Sequence, residues 1–302
     1  MLDNADKFRC LLGECVTVAL ADRLCQRIGE CLIVNESTDF ATGSGAGYEL
    51  QMGRFSRLLA PNFLAFAQIG DNGPILDAGC GTGSLTRELL KRTSQAVIYG
   101  VDISSAYVEY CQQNISDRRA NFDVEDLTKL PFADCYFGQA YSQLVLDFVP
   151  DTDRAFKELF RVLKPGGRFA AAVWDARGGL VFNRMFLDTA AVFDEEAEAL
   201  RKKNFTRPLR QPGQLMQIAS STGFSDIQAG ELLIRTEFKS FDDYWAPFDG
   251  SDGPIPAYFS NRPSDLKAKI KDAVRLAYLD GDQDGPRSYV AVALAISAVK
   301  MI

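Results

Sequence analysis

Three glycines stand at every second position, Gly79, Gly81 and Gly83, just past an aspartate that closes the apolar run Pro74-Ile75-Leu76-Asp77. Glycine loses more conformational freedom on folding than any other residue, so this density marks backbone that must take positive φ or approach something closely. An acid at a strand end beside such a turn suits a cradle for a nucleotide-like ligand. A second acid, Asp102, closes the next apolar run, "QAVIYGVD", 19 residues past Gly83. There its carboxylate can accept hydrogen bonds from a ribose diol. The register is G-x-G-x-G, and Ser84 holds the slot where a dinucleotide fingerprint has its third glycine. A tight strand-to-helix turn that holds no ligand would share the glycines but not the flanking acids.

Composition removes several chemistries. The 302 residues include no histidine, so no mechanism can use an imidazole base or ligand. Of seven cysteines, Cys10, Cys15, Cys25 and Cys31 crowd the start, none in a C-x-x-C pair; zinc is disfavoured and no metal is expected. A net charge of -7 argues against nucleic acid as main partner. No window reaches the ~18–20 apolar residues of a membrane span. "CLLGECVTVALA" contains Glu14 and follows a stretch with as many acids as bases, unlike a signal peptide. A cytoplasmic protein without a membrane partner is expected, its oligomeric state open.

The elements that must position these residues follow from periodicity. "ELQMGRFSRLLAPNFLAFAQI" reads as helix with a break near Pro61. "PILDAG" is a buried strand, "SLTRELLKR" a helix, "QAVIYGVD" a second strand and "SSAYVEYCQQNI" a helix capped by Ser104. "ANFDVED" and "CYFGQAYSQ" are further strands, "DTDRAFKELFRVL" a helix opening near Asp151, and "LKPGGRFAAAVWD" a turn into the fifth strand. A long helix over about 180–200, another in "PGQLMQIASSTGF", and strands "SDIQAGELLIRTEF" and "RSYVAVALAISAV" follow. Repeated strand–helix alternation predicts an α/β fold, a doubly wound, seven-stranded, mostly parallel sheet. Residues 1–42 read as an N-terminal extension, either disordered or carrying one amphipathic helix over 16–28. Residues 43–302 form the main domain.

Over about 48–175 the chain resembles the class I S-adenosylmethionine-dependent methyltransferases of the small-molecule type, the broad family that includes the ubiquinone/menaquinone-biosynthesis methyltransferases. Four motifs carry the resemblance: "ILDAGCGTG", "YGVD", "VEDLTKLPFAD" and "LKPGGRF". Residues 211–236 and 288–300 fit more loosely, while 1–42 and 237–287 fall outside it. The resemblance implies S-adenosylmethionine as cofactor and a Rossmann-like sheet. It implies that Ala78, Gly79, Gly81 and Gly83 line the methionine part, with Asp77 beside its amino group. Asp102 would take both ribose hydroxyls, next to Ile103. Asp126 would accept from the adenine amino group and the Leu127 backbone would meet the ring, while Gln143 lies near the transferable methyl and Arg54 reaches the carboxylate. Where family members often carry histidine, in a phrase like "VLHHVPD", this chain has "VLDFVPD", with Asp147 in that place.

The acceptor is narrowed chiefly by exclusion. There is no Pro-Pro dipeptide as in DNA amino-methyltransferases, the fourth strand ends "AYSQLVL" without paired glutamates, and the fifth ends Trp174-Asp175-Ala176 in place of the Asp-Asn pair of metal-dependent enzymes. A base, if needed, would be Asp175, Asp147, Tyr141 or a lid tyrosine. Two insertions, about 177–210 and 237–287, should leave the carboxyl edge of the sheet and form lids. Their aromatics Phe182, Tyr244, Trp245, Phe248 and Tyr258, with Trp174 at the end of the fifth strand, are expected to line an apolar pocket. The alternative is that they pack the insertions onto the core. The expected activity is methyl transfer to oxygen, nitrogen or carbon of a small, partly apolar metabolite, mainly by positioning. Alternatives are a protein of the same fold that binds the cofactor without transfer, an NAD-dependent oxidoreductase, or an enzyme acting on a macromolecule.

Overall fold

The computed structural model describes residues 45–70, 73–250 and 253–301. The N-terminal cysteines and the helix expected over 16–28 lie outside the described residues. Seven strands form one sheet: β1 (Ile75–Ala78), β2 (Ile98–Asp102), β3 (Ala120–Val124), β4 (Phe137–Gln143), β5 (Leu163–Trp174), β6 (Ser225–Phe238) and β7 (Arg287–Val299). Their order is β3-β2-β1-β4-β5-β7-β6. The first five are parallel, with Ile75 paired to Ile98 on one side and to Gln139 on the other. β7 inserts antiparallel between β5 and β6, Trp174 opposite Ala293 and Phe238 opposite Arg287. The strand order reverses between β1 and β4, and there the crevice at the carboxyl ends opens.

Helices cover both faces. Among the described residues, helical backbone runs from Gly45–Tyr48 through one π turn at Glu49–Gly53 into α1 (Arg54–Ala67). The break expected near Pro61 does not occur; α1 runs through it. The carbonyl that Pro61 deprives of a donor belongs to Arg57, on the exposed side, while Phe55, Leu59, Phe63 and Leu64 are buried against the sheet. Burying each such side chain contributes roughly 1.5–3 kcal/mol, enough to offset one lost hydrogen bond. α2 (Ser84–Arg92), α3 (Ser105–Asn114) and α4 (Thr152–Val162) follow β1, β2 and β4. Ser104 caps α3 by accepting from the Tyr107 N–H, and Asp151 caps α4 by accepting from Arg154.

The segment 177–210 contains two helices, α5 (Val181–Ala190) and α6 (Glu195–Thr206), in place of the single helix expected over about 180–200. Asp194 separates them, its side chain capping the second through the Glu196 N–H. After α7 (Gln214–Thr222) and β6, the second insertion folds as α8 (Phe241–Trp245), a 3-10 turn at Ala246–Asp249, α9 (Pro254–Ser260) and α10 (Ser264–Leu279). Two large apolar clusters lie on opposite faces of the sheet. One joins α1, the lid helices and β6; the other joins α4, α7 and the alternate residues of β4 and β5.

Candidate active site

The loop between β1 and α2 explains its glycines individually. Gly79, Gly81 and Gly83 have φ of 80, 52 and 83°, all left-handed. A Cβ on Gly79 would fall 2.8 Å from Val145 Cβ, and one on Gly83 2.5 Å from Ile115 Cδ1. Those two serve close packing. Around Gly81 the nearest atom to such a Cβ is Tyr48 Cε1 at 3.7 Å, across the crevice. Gly81 is therefore where the main chain is open to a ligand.

Two carboxylates face this loop. Asp77, 1% exposed, accepts from Thr86 Oγ1 at 2.5 Å through Oδ2, while its Oδ1 has no partner among the described residues. Burial pushes its pKa up to about 7, with the Thr86 hydrogen bond opposing. A buried carboxylate oxygen without a donor calls for a cation or an N–H group. Asp102 accepts from Gly81 N through Oδ2 and from Ser104 N through Oδ1, both at 2.9 Å. Burial raises its pKa and these backbone donors oppose the shift. Each oxygen keeps a further lone pair and Asp102 lines a cavity, so it can accept from a diol.

One cavity of about 580 Å³ opens from this edge. Gly79, Gly81, Asp102, Ile103, Asp126 and Leu127 line it, as expected of cofactor residues. Ile103 is 73% exposed, a large apolar side chain at the mouth. Asp126 is held by Thr128, whose N and Oγ1 both donate to its Oδ1 at 2.8 Å. Gly83, Ala78 and Asp77 do not line the cavity; the Ala78 carbonyl accepts from Ser142 Oγ at 2.8 Å. Gln143 shares a small adjoining recess with Asp77 and Gly79. Its Nε2 donates to Ser56 O at 3.0 Å and its Oε1 is buried without a partner.

Arg54 departs from expectation. Its Nη1 donates to Asp243 Oδ1 at 2.9 Å and its guanidinium lies 4.8 Å from the Phe55 and Phe238 ring centroids. It ties α1 to α8 and does not line the cavity. Tyr48, Gln51 and Met52, from the turn before α1, line it instead. Sequence reading missed them. Their signal is their place just before Arg54 in the run that opens with Tyr48, but the register of the π turn Glu49–Gly53 is not visible in periodicity.

The three candidate bases are all engaged elsewhere. Tyr141 is fully buried beneath α1, donates to Gln139 Oε1 at 2.7 Å, and burial raises its pKa further. Asp175 Oδ1 accepts from Arg177 N at 2.9 Å and Gly178 N at 3.3 Å, closing the turn after β5. Neither residue lines the cavity. Asp147 Oδ2 accepts from Arg210 Nε at 2.6 Å, in a pair whose side chains are 1% and 4% exposed. Arg210, which sequence reading passed over, does line the cavity, together with Asn183 and Asn204.

Of the aromatics expected to form the pocket wall, only Trp174 lines the cavity. Phe182, Tyr244, Trp245, Phe248 and Tyr258 pack inward. Phe186 stacks on Phe248 at 4.6 Å, with Trp245 and Phe259 both 5.8 Å away. Tyr244 donates to the Phe182 carbonyl at 2.8 Å, Trp245 Nε1 to Asp249 at 2.7 Å, and Tyr258 to Asp194 at 2.6 Å. Their area goes into the lid's own core because that removes the most apolar surface from water. The wall is left to the aliphatic Leu180, Leu187, Leu200 and Ile255.

Residues 76–171 match a family model described as a methyltransferase domain. The malonyl-[acyl-carrier protein] O-methyltransferase of Halorhodospira halophila is 30% identical over 212 residues, 61% of this chain and 70% of that protein. The ubiquinone/menaquinone biosynthesis C-methyltransferase UbiE of Geotalea daltonii is 33% identical over 120 residues, 38% of this chain and 51% of its own. Methyltransferase GfsG of Streptomyces halstedii is 34% identical over 110 residues, 35% of this chain and 39% of its own. The matched region thus spans 51% and 39% of the last two. Among solved structures, YcgJ of Bacillus subtilis aligns with TM-score 0.53 at 18% identity, over 82% of this chain and 99% of that one. Phosphoethanolamine N-methyltransferase 2 of Haemonchus contortus, solved with S-adenosylhomocysteine, aligns with TM-score 0.52 at 17% identity, over 85% and 57%. Both likenesses concern the fold alone. A buried aspartate with one oxygen unpartnered, a second aspartate in the cavity wall and an open glycine at the switch point of a 3-2-1-4-5-7-6 sheet fit an amino-acid nucleoside, and with these relatives the chain belongs to the class I S-adenosylmethionine-dependent methyltransferases.

Proposed function

We propose that the protein transfers the methyl group of S-adenosylmethionine to an oxygen, nitrogen or carbon of a small, partly apolar metabolite, chiefly by holding methyl and acceptor in one closed space. The observation that carries this reading is the continuity of the cavity: Gly81 and Asp102 line the same 580 Å³ as Leu180, Leu187 and Ile255 of the two insertions. When bound, the cofactor supplies a methyl on a sulfonium whose charge is lost as the methyl leaves. Little new charge then needs stabilising, and positioning alone can lower a barrier by several kcal/mol.

In this reading Asp77 Oδ1 receives the cofactor's ammonium and Asp102 its ribose hydroxyls. Gly79, Gly81 and Gly83 shape the backbone along the methionine part, with Gln143 nearby. Asp126 and Leu127 meet the adenine, and Ile103 covers its face. Within a domain of residues 43–302, the segments 177–210 and 237–287 act as lids that exclude water and give the acceptor an aliphatic wall. The reduced, buried thiols of Cys80 and Cys111 suit a cytoplasmic location. The acid excess suits a small-molecule partner in place of nucleic acid.

Calorimetry with S-adenosylmethionine, S-adenosylhomocysteine and NAD, with Asp102→Ala alongside, tests the cofactor assignment. Micromolar binding of the first two, lost in the variant, is expected. Binding of NAD in their place would overturn it. Methyl transfer to a metabolite panel then separates an enzyme from a binder.

A further inference from the structure

Among the described lid residues that line the cavity, Arg210 is the one charged group; the others are Leu180, Asn183, Leu187, Leu200, Asn204, Pro254 and Ile255. Its guanidinium is fixed on two sides. Nε donates to Asp147 Oδ2, and Nη1 donates to Asn204 Oδ1. The Phe148 ring, 5.2 Å from the guanidinium carbon, supports a third side, and Arg207 lies 4.7 Å from the same ring. The remaining nitrogen, Nη2, brings two N–H donors and makes no hydrogen bond to any described residue. A side chain only 4% exposed has therefore been pinned with one donor pair left over, in the wall of the space assigned to the acceptor.

We propose that Arg210 receives a carboxylate of the methyl acceptor through Nη2, and that this carboxylate is the group methylated. The inference rests on the methyl-transfer reading above and narrows its acceptor. With Nε and Nη1 engaged, Nη2 alone can donate to one carboxylate oxygen and leaves the other free. A phosphate dianion is disfavoured, because Asp102, Glu125, Asp126 and Asp151 line the same cavity. The aliphatic lid wall suits a hydrocarbon tail behind the carboxylate.

The same assignment accounts for the missing base. A carboxylate is already ionised near neutral pH. Its free oxygen forms the new O–CH3 bond while the S–CH3 bond breaks. The bonding pair returns to sulfur, so the negative charge of the carboxylate and the positive charge of the sulfonium cancel, leaving a methyl ester and a neutral thioether. No proton moves, and no histidine is needed. Asp147, at the family's histidine position, becomes a positioning residue that orients Arg210.

Calorimetric titration with octanoate and octanamide, with and without saturating S-adenosylhomocysteine, tests this. Octanoate should bind wild-type protein roughly tenfold or more tightly than octanamide, as a charge-assisted contact requires. Arg210→Gln should abolish that preference. Because a lone buried Asp147 could unfold this variant, Asp147→Asn combined with Arg210→Gln, which keeps a neutral hydrogen-bonded pair, is measured too. Equal binding of the two probes, no binding of either, or a preference that survives in a folded variant would overturn the proposal. S-adenosylhomocysteine binding, read separately on the same proteins, reports on the cofactor assignment: its loss would remove the methyl-transfer reading while the carboxylate preference is still read without cofactor.

Discussion

Alanine at each of the three loop glycines should separate packing from ligand approach. At Gly81 the left-handed backbone penalises a side chain by roughly 1–2 kcal/mol, and at φ of 52° with 3.7 Å to the Tyr48 ring no clash adds to it. A domain of this size loses about 2–4 °C of melting temperature per kcal/mol, so Gly81→Ala should melt roughly 2–8 °C lower. Gly79→Ala and Gly83→Ala carry the same backbone cost plus overpacking against Val145 and against Ile115 and Cys111. Overpacking adds about 1–3 kcal/mol, for a total fall of roughly 4–20 °C. Ligand affinity should rank differently. The Gly81 methyl stands between loop and Tyr48, in the path of the cofactor, and intrusion of about 1–3 kcal/mol weakens S-adenosylhomocysteine roughly 5- to 150-fold. Differential scanning fluorimetry and calorimetry on the three variants measure both quantities. If Gly81→Ala binds S-adenosylhomocysteine like wild type, the loop is a turn and not a cradle.

Asp77 gives a pH test. Its folded pKa of about 7 lies above the ordinary 3.8, so the folded form without ligand binds a proton the unfolded chain has released, and this contribution to stability falls as pH rises from about 4 to 7. A bound ammonium reverses the preference; the melting-temperature gain from S-adenosylhomocysteine should therefore grow up to about pH 7, and Asp77→Asn should flatten that rise. Asp175→Asn should leave turnover unchanged in a methyl-transfer assay, since an amide oxygen still closes the Arg177–Gly178 turn; a large fall would restore Asp175 as a base. Tyr244→Phe removes the second donor to the Phe182 carbonyl, which keeps its bond within α5, and should cost about 0.5–1.5 kcal/mol by denaturant melt. Arg210→Met, which strands Asp147 in the interior, should cost about 3–5 kcal/mol, and the paired Asp147→Asn, Arg210→Gln protein clearly less.

Legibility tracked the range of the interaction. The sheet could be read because each β–α unit encodes its own alternation, caps and turns; Ser104 and Asp151 cap their helices through N–H groups three residues on. The glycine loop could be read because positive φ is a local requirement. Arg54 could not, since its partner Asp243 lies 189 residues away. The lid aromatics failed for another reason: hydrophobicity predicts burial, but a pocket wall and a core look alike until packing is known. Phe186 gathers Trp245, Phe248 and Phe259 around itself, and the cavity keeps the leucines. Arg210 was invisible because its meaning depends on Asp147, 63 residues earlier. An aspartate in the histidine's place at position 147 is plain in the sequence, but only the fold supplies its partner.

The insertion of β7 between β5 and β6 bears on synthesis. Trp174 ends β5, yet the strand that pairs with it begins at Arg287, 113 residues later. At about 5–20 residues per second, a ribosome needs roughly 6–23 s to make that stretch. Throughout that interval the nascent chain carries an unpaired edge along Phe169–Trp174, three alanines, a valine and two aromatics with no charge to deter pairing with a neighbour. The length of the segment between β5 and β7 thus sets how long that edge stays open during synthesis, and only the last of the seven strands closes it.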